Sequence, residues 1–200
     1  MLALMRMSGY IASASAPEDR RHILVPTERL RAAHRDRWVS VVATLREIHP
    51  EAAAAFALDD PEFIAAYVRA SADQFVGGFR PIHNAAAMAL FVERNAGLMV
   101  LFSIVLAGKA DDTVPPSRPV LVSISGIASR FGVSRAHVRT LLRDAEAHGL
   151  IERSGQDGSV LLNPHFAVAV SNFFANSLLY IAHCALQARD EVRRSSGSAK

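Results

Sequence analysis

The stretch Ser123–Leu162, SISGIASRFGVSRAHVRTLLRDAEAHGLIERSGQDGSVLL, decides the fold. It reads as two short helices, a tight turn and a β-hairpin. Ile127, Ala128 and Phe131 give the first helix an apolar face, and Gly132-Val133 supplies the turn. Ser134 is a good N-cap, because its hydroxyl can accept from a free amide of the next turn. Val138, Leu141, Leu142 and Ala145 then recur at i, i+3, i+4 and i+7, one stripe of a helix. Gly149 stands where a helix leaves through a left-handed residue. With the stripe turned inward, the outer face carries Ala136, Arg139, Thr140 and Arg143, with Arg135 at its N-terminal edge.

Beyond this helix, Leu150–Arg153 and Ser159–Leu162 read as strands around a turn-rich tip at 155–158, and Pro119–Val122 as a third strand. Small Ala128 lets two helices approach, Gly132 takes the turn, and Val138 and Leu141 fill the space between them. On these residues the segment resembles a winged helix-turn-helix, and among such families it is most similar to the MarR-type transcriptional regulators. The resemblance covers roughly 95–190 and is specific in 123–162. It implies a homodimer whose terminal helices form the interface, with a small-molecule effector pocket between that region and the DNA lobes. The chain departs from the family in its long N-terminal region and in the single long helix after the wing. The fold class expected is mainly α with a small β-wing, flanked by N- and C-terminal dimerisation helices.

A helix-turn-helix offers its second helix to the major groove of double-stranded DNA, which admits an α-helix. Arg139 and Arg143 are placed to reach base edges, where a guanidinium bonds guanine bidentately. Thr140 and Ala136 suit a thymine methyl group. Ser134 and Arg135, at the helix start, suit phosphate, and Arg153 in the wing follows the backbone or enters a minor groove. A second reading stays open: a winged helix used as a protein-docking module, its arginines only solvating the face.

The formal charge of +3 argues little by itself. Its distribution says more. Residues 118–153 carry Arg118, Arg130, Arg135, Arg139, Arg143 and Arg153 against Asp144, Glu146 and Glu152, whereas 51–113 is acidic. This fits an electrostatic footprint for phosphate. With half the residues hydrophobic and a fifth charged, the chain is of globular composition. The lone Cys184 excludes an intrachain disulfide and suits a reducing, cytoplasmic setting. GxxxxGK[ST], GxSxG, HExxH and CxxC are all absent, so no enzyme is expected. No cofactor or metal is expected either. Of the histidines only His183 adjoins a second donor, Cys184, and helix neighbours point about 100° apart.

Residues 1–26 lack a sustained period and are expected to form a flexible arm; Arg6 and Gly9 interrupt any signal-peptide core. Residues 27–94 form a helical region for dimerisation or sensing. Its first helix starts at Thr27, with an apolar stripe of Trp38, Val41, Val42, Leu45 and Ile48, and ends before Pro50. Its other face, with Arg29, Arg31, Arg35, Asp36 and Arg46, is solvated or meets DNA phosphates or a partner subunit. A short helix over 51–58 follows. Asp60-Pro61-Glu62 then opens a helix with Ile64, Tyr67, Val68, Ser71 and Phe75 along one side, up to Gly77-Gly78. Further helix is read over 84–94. The DNA-binding domain spans 95–163, starting with apolar 95–108. Residues 164–189 form a C-terminal helix, apolar on most sides, which is buried between subunits or lies in lipid. Ser171, Asn172, Asn176, Ser177, His183 and Gln187 argue against lipid. Residues 190–200 read as a disordered tail.

Overall fold

The computed structural model describes residues 2–16, 19–79, 82, 86–154 and 158–197. The chain is mainly helical, 67% helix and 9% strand, with small antiparallel sheets. It divides into two compact units, Met1–Gln74 with Ile181–Lys200, and Phe75–Tyr180. The units therefore part at 74/75 and 180/181, whereas the sequence suggested boundaries at 94/95 and 163/164.

In the first unit, α1 (Leu2–Met7) leads into an antiparallel pair, β1 (Ile11–Ala16) and β2 (Asp19–Pro26), in register Ile11↔Pro26 to Ser15↔His22. The segment expected as a flexible arm is thus structured. Thr27 explains much of this. Its hydroxyl donates to the Gly9 carbonyl (2.7 Å), its amide to that of Tyr10 (3.0 Å), and Arg29 reaches the Ser8 carbonyl (2.7 Å). Thr27 also caps α2 (Glu28–Ile48) by accepting from the Leu30 amide. Trp38, Val42 and Leu45 are buried as the periodicity implied, but Ile48 is exposed. Pro50 opens α3 (Pro50–Ala55), and Asp60 Oδ1 accepts from the Glu62 amide at the head of α4 (Pro61–Val76). The inward face of α4 is Phe63, Ala66, Tyr67 and Ala70. Val68 and Phe75, expected on the apolar side, are exposed. An aromatic cluster joins these helices: Trp38 lies 5.4 Å from Phe56 and 5.0 Å from Tyr67, centroid to centroid.

The second unit begins its described core with a 3-10 turn (Ala86–Met88) running into α5 (Ala89–Val92), then α6 (Gly97–Val105) after a 115° bend. A strand β3 (Val120–Leu121) precedes α7 (Ile124–Phe131) and α8 (Arg135–Ala147). Strands β4 (Ile151–Arg153) and β5 (Ser159–Leu162) follow, with sheet order β3-β5-β4. The three expected strands are present and pair antiparallel: Ile151 faces Leu162 and Val120 faces Val160. The hairpin tip at 155–157 lies outside the described residues. Between α6 and β3, the nearly buried Asp112 carboxylate accepts from the amides of Thr113, Ser117 and Arg118 and from the Ser117 hydroxyl (2.6 Å), foremost of these. These bonds hold its pKa well below the usual carboxylate range. The core packs Met88, Phe91, Val100, Leu101 and Ile104 against Val138, Leu141, Ile151 and Phe166.

One helix closes the chain. α9 (Pro164–Gly197) is 34 residues long, so 190–197, expected as a disordered tail, continue the helix. Two contacts hold that end in the first unit: Arg189 to Glu51 (3.1 Å) and Arg69 to Glu191 (2.6 Å). α9 is long and apolar enough to cross a membrane by length and composition, and only 17% of its most apolar window is buried.

Candidate nucleic-acid interface

Two helix caps and one glycine set the geometry of α7 and α8. Ser123 Oγ accepts from the Gly126 amide (3.1 Å) and Ser134 Oγ from the His137 amide (3.0 Å), satisfying donors that each helix start leaves open. Gly132, at φ 66° and ψ 32°, ends α7 in the left-handed region, where a Cβ would cost about 1–2 kcal/mol. The Val133 amide then returns to the Ala128 carbonyl (3.1 Å). The turn is set by this capping, and α8 leaves it with Val138, Leu141, Leu142 and Ala145 all buried.

The outer face of α8 follows. Arg135, Ala136, Arg139 and Arg143 are exposed, and Thr140 is half-buried. Ser134 is exposed too; as a cap it accepts through its lone pair and keeps its hydroxyl proton for an acceptor such as phosphate. The acids of α8 are engaged elsewhere. Asp144 accepts from Arg94 (3.0 Å), with Arg143 a more distant 3.9 Å away, and Glu146 takes both the Arg153 amide (3.2 Å) and its guanidinium (3.6 Å). Among the described residues, no carboxylate lies within ion-pair range of Arg135 or Arg139. The face therefore presents cations whose charge is not cancelled locally.

Five of the expected residues, Arg135, Ala136, Arg139, Thr140 and Arg143, thus share one face, with Ser134 at its head. Arg153, exposed on β4, is not free of carboxylates as Arg135 and Arg139 are: its guanidinium lies 3.6 Å from Glu146 at the end of α8. Sequence reasoning missed the contacts that anchor α8. His137 Nε2 meets the Asn95 carbonyl (2.8 Å), and Arg94 meets Asp144, joining the α5–α6 bend to the outer helix. No spacing signal connects residues so far apart in sequence. His148, at the C-terminal end of α8, places Nδ1 2.7 Å from the Asp144 carbonyl, at the negative end of the helix.

Among the described residues, no group of three or more His, Cys, Asp or Glu side chains is arranged to hold a metal ion. Comparison with family models, with curated proteins and with solved structures returns no match to the chain.

Proposed function

We propose that the chain is a winged-helix regulator of MarR-like type, a cytoplasmic homodimer that reads a pseudo-palindromic operator in double-stranded DNA and catalyses no reaction. The observation that carries this reading is the outer face of α8, where Arg135 and Arg139 stand exposed without a carboxylate while the opposite stripe is wholly buried. The order α6-β3-α7-α8-β4-β5, with β5 central, supports the winged-helix reading. In this reading Arg139 and Arg143 meet base edges, Ala136 and Thr140 approach thymine methyls, and Ser134 and Arg135 hold phosphates. Arg153 reaches DNA only by exchanging Glu146 for a phosphate. The bent α5–α6 pair is apolar because it is core: Met88, Phe91, Val100 and Leu101 are all buried.

A protein-docking module is the second reading. One observation favours it, an apolar groove of about 560 Å³ lined by Met99, Phe102, Leu106, Leu121 and Phe131. Selection from a random duplex library with the purified chain, at moderate salt, separates the two. A regulator enriches an inverted repeat, with half-sites about one helical turn or a multiple apart, and its affinity falls steeply with salt. A chain that enriches nothing and ignores non-specific duplex at low salt is not a DNA reader.

A further inference from the structure

The apolar groove of the second unit has two helical walls. Met99, Phe102 and Leu106 recur at i, i+3 and i+7 on α6 and just past its end; Gly126, Ile127 and Arg130 do the same at i, i+1 and i+4 on α7. Leu121 of the edge strand β3 and Phe131 complete the apolar lining. The α6 wall is fixed, because the Phe102 ring lies 5.5 Å from Phe174 and 6.4 Å from Phe173, centroid to centroid. The hydroxyls at the groove are already engaged. Ser103 Oγ donates to the Met99 carbonyl (2.8 Å), and Ser123 Oγ accepts from the Gly126 amide. The apolar groups, by contrast, are open to water: Leu106 is 78% exposed, Leu121 71% and Met99 40%.

Exposure decides the kind of occupant. A small molecule is held where most of its own surface is buried, but here the leucines stand at the lip, and only a body as long as the groove covers them. The stripe on α6 runs two turns, about 10 Å, which matches the apolar stripe of an amphipathic helix. Charge decides the sign of that helix. Arg130 is exposed on the α7 wall, its guanidinium 5.5 Å from the centroid of the Phe131 ring. Lys109 is exposed in a neighbouring cavity that shares Ala107 and Leu121 with the groove. Among the described residues, no carboxylate lies within ion-pair range of either cation. A basic helix is repelled here, whereas an acidic one finds partners that nothing else neutralises. We infer that the groove docks an amphipathic, acidic helix of a partner protein, its apolar stripe along Phe102, Leu106 and Leu121 and its carboxylates toward Arg130 and Lys109. This deepens the docking reading of the groove and rests on it. α8 contributes no side chain to the groove, so the DNA reading of α8 stands or falls separately.

The full chain is titrated, by fluorescence anisotropy and without DNA, into three labelled peptides of about fourteen residues. Each carries leucine at i, i+3, i+4 and i+7, with Glu, Gln or Lys at the polar positions. The Glu peptide is expected to bind saturably, the Gln peptide about tenfold more weakly and the Lys peptide about a hundredfold or more. Leu106→Gln/Leu121→Gln, at two largely exposed positions, weakens the Glu and Gln peptides alike by at least about tenfold. Lys109→Gln/Arg130→Gln brings the Glu peptide down to the affinity of the Gln peptide and leaves the latter unchanged. Circular dichroism confirms the fold of both variants. A chain that fails the duplex selection still tests the groove in this way. Equal binding of the three peptides, no saturable binding up to about a hundred micromolar, or a leucine variant that binds like the parent overturns the assignment. So does sedimentation in which the parent self-associates and only the leucine variant has lost that association, because a second copy then fills the groove.

Discussion

Arg139 sits mid-helix on the outer face of α8, exposed and without an ion-pair partner among the described residues. A residue so placed adds little to folding, so its substitution tests recognition. Arg139→Ala is expected to leave the melting temperature unchanged, to weaken operator binding by on the order of 1–3 kcal/mol, and to relax preference at one base pair. Competition binding against operators varied at single positions checks this. Arg135→Ala differs, because a phosphate contact carries no sequence information. It weakens specific and random duplex alike and lowers the salt slope by about one. His34 supplies a pH dependence whose sign is determined. Burial, then the charge of Arg37, holds its folded pKa below the ordinary 6.5, so the unfolded chain takes up the proton first. The stability contributed by the neutral ring is complete above about pH 6.5 and lost as pH falls through the folded value. Protonation also removes the acceptor of the Trp38 Nε1–H, which donates to His34 Nε2. Trp38 emission should therefore titrate with a midpoint under 6.5 in the parent chain, and His34→Gln should abolish that transition.

The bend between α5 and α6 places two neighbouring residues under opposite demands. Ala96 lies in the left-handed region at φ 55°, which costs an alanine about 1–2 kcal/mol. Gly97 has an ordinary φ, but a Cβ there would drive into the Phe91 carbonyl oxygen, backbone against backbone. Ala96→Gly should thus stabilise by up to about 1 kcal/mol once glycine's added chain entropy is deducted. Gly97→Ala should destabilise by roughly 2–3 kcal/mol, lowering the melting temperature on the order of 5–10 °C. Thermal unfolding of the two variants checks both signs. No helix-period reading foresees this, since 95–108 is uncharged and mostly apolar and carries no signal for a 115° turn. Elements with contrast were legible: the α8 stripe, the Thr27 and Ser134 caps, Pro61 at the head of α4, the strands around the hairpin. Elements without contrast were not. Alanines on both sides of α4 hid its true inward face, and β1 alternates Ala with Ser, so neither face of that strand stands out as apolar. The end of α9 reads as frayed because Glu51 and Arg69, which pair with it, lie more than a hundred residues away. At the candidate interface the outward arginines followed from the stripe. The silencing of Asp144 by Arg94 did not, because it depends on how the bend is folded.

At the scale of the molecule, the unresolved demand is the surface of α9. No residue of its middle, 171–181, is fully buried, and Val168 and Leu179 are each 60% exposed. So apolar a helix needs a cover, either lipid or protein. Two of its polar groups do not discriminate, since Ser171 and Ser177 return their hydroxyls to carbonyls one turn back. Asn172 and Asn176 do: an amide facing hydrocarbon costs several kcal/mol, whereas a second copy of the helix offers it another amide. A two-fold contact between copies of α9 meets both requirements and suits an inverted-repeat operator. Leu179 then counts twice, so Leu179→Arg removes roughly 3–6 kcal/mol from the dimer, about a hundredfold or more in its dissociation constant. The substitution leaves helix content intact, because the side chain is outward-facing. Sedimentation velocity should show the parent as a dimer without detergent and the variant as a monomer with weakened operator binding. A parent that sediments as a monomer, or partitions into phospholipid vesicles and needs detergent to leave them, would show that α9 is covered by something other than its own copy.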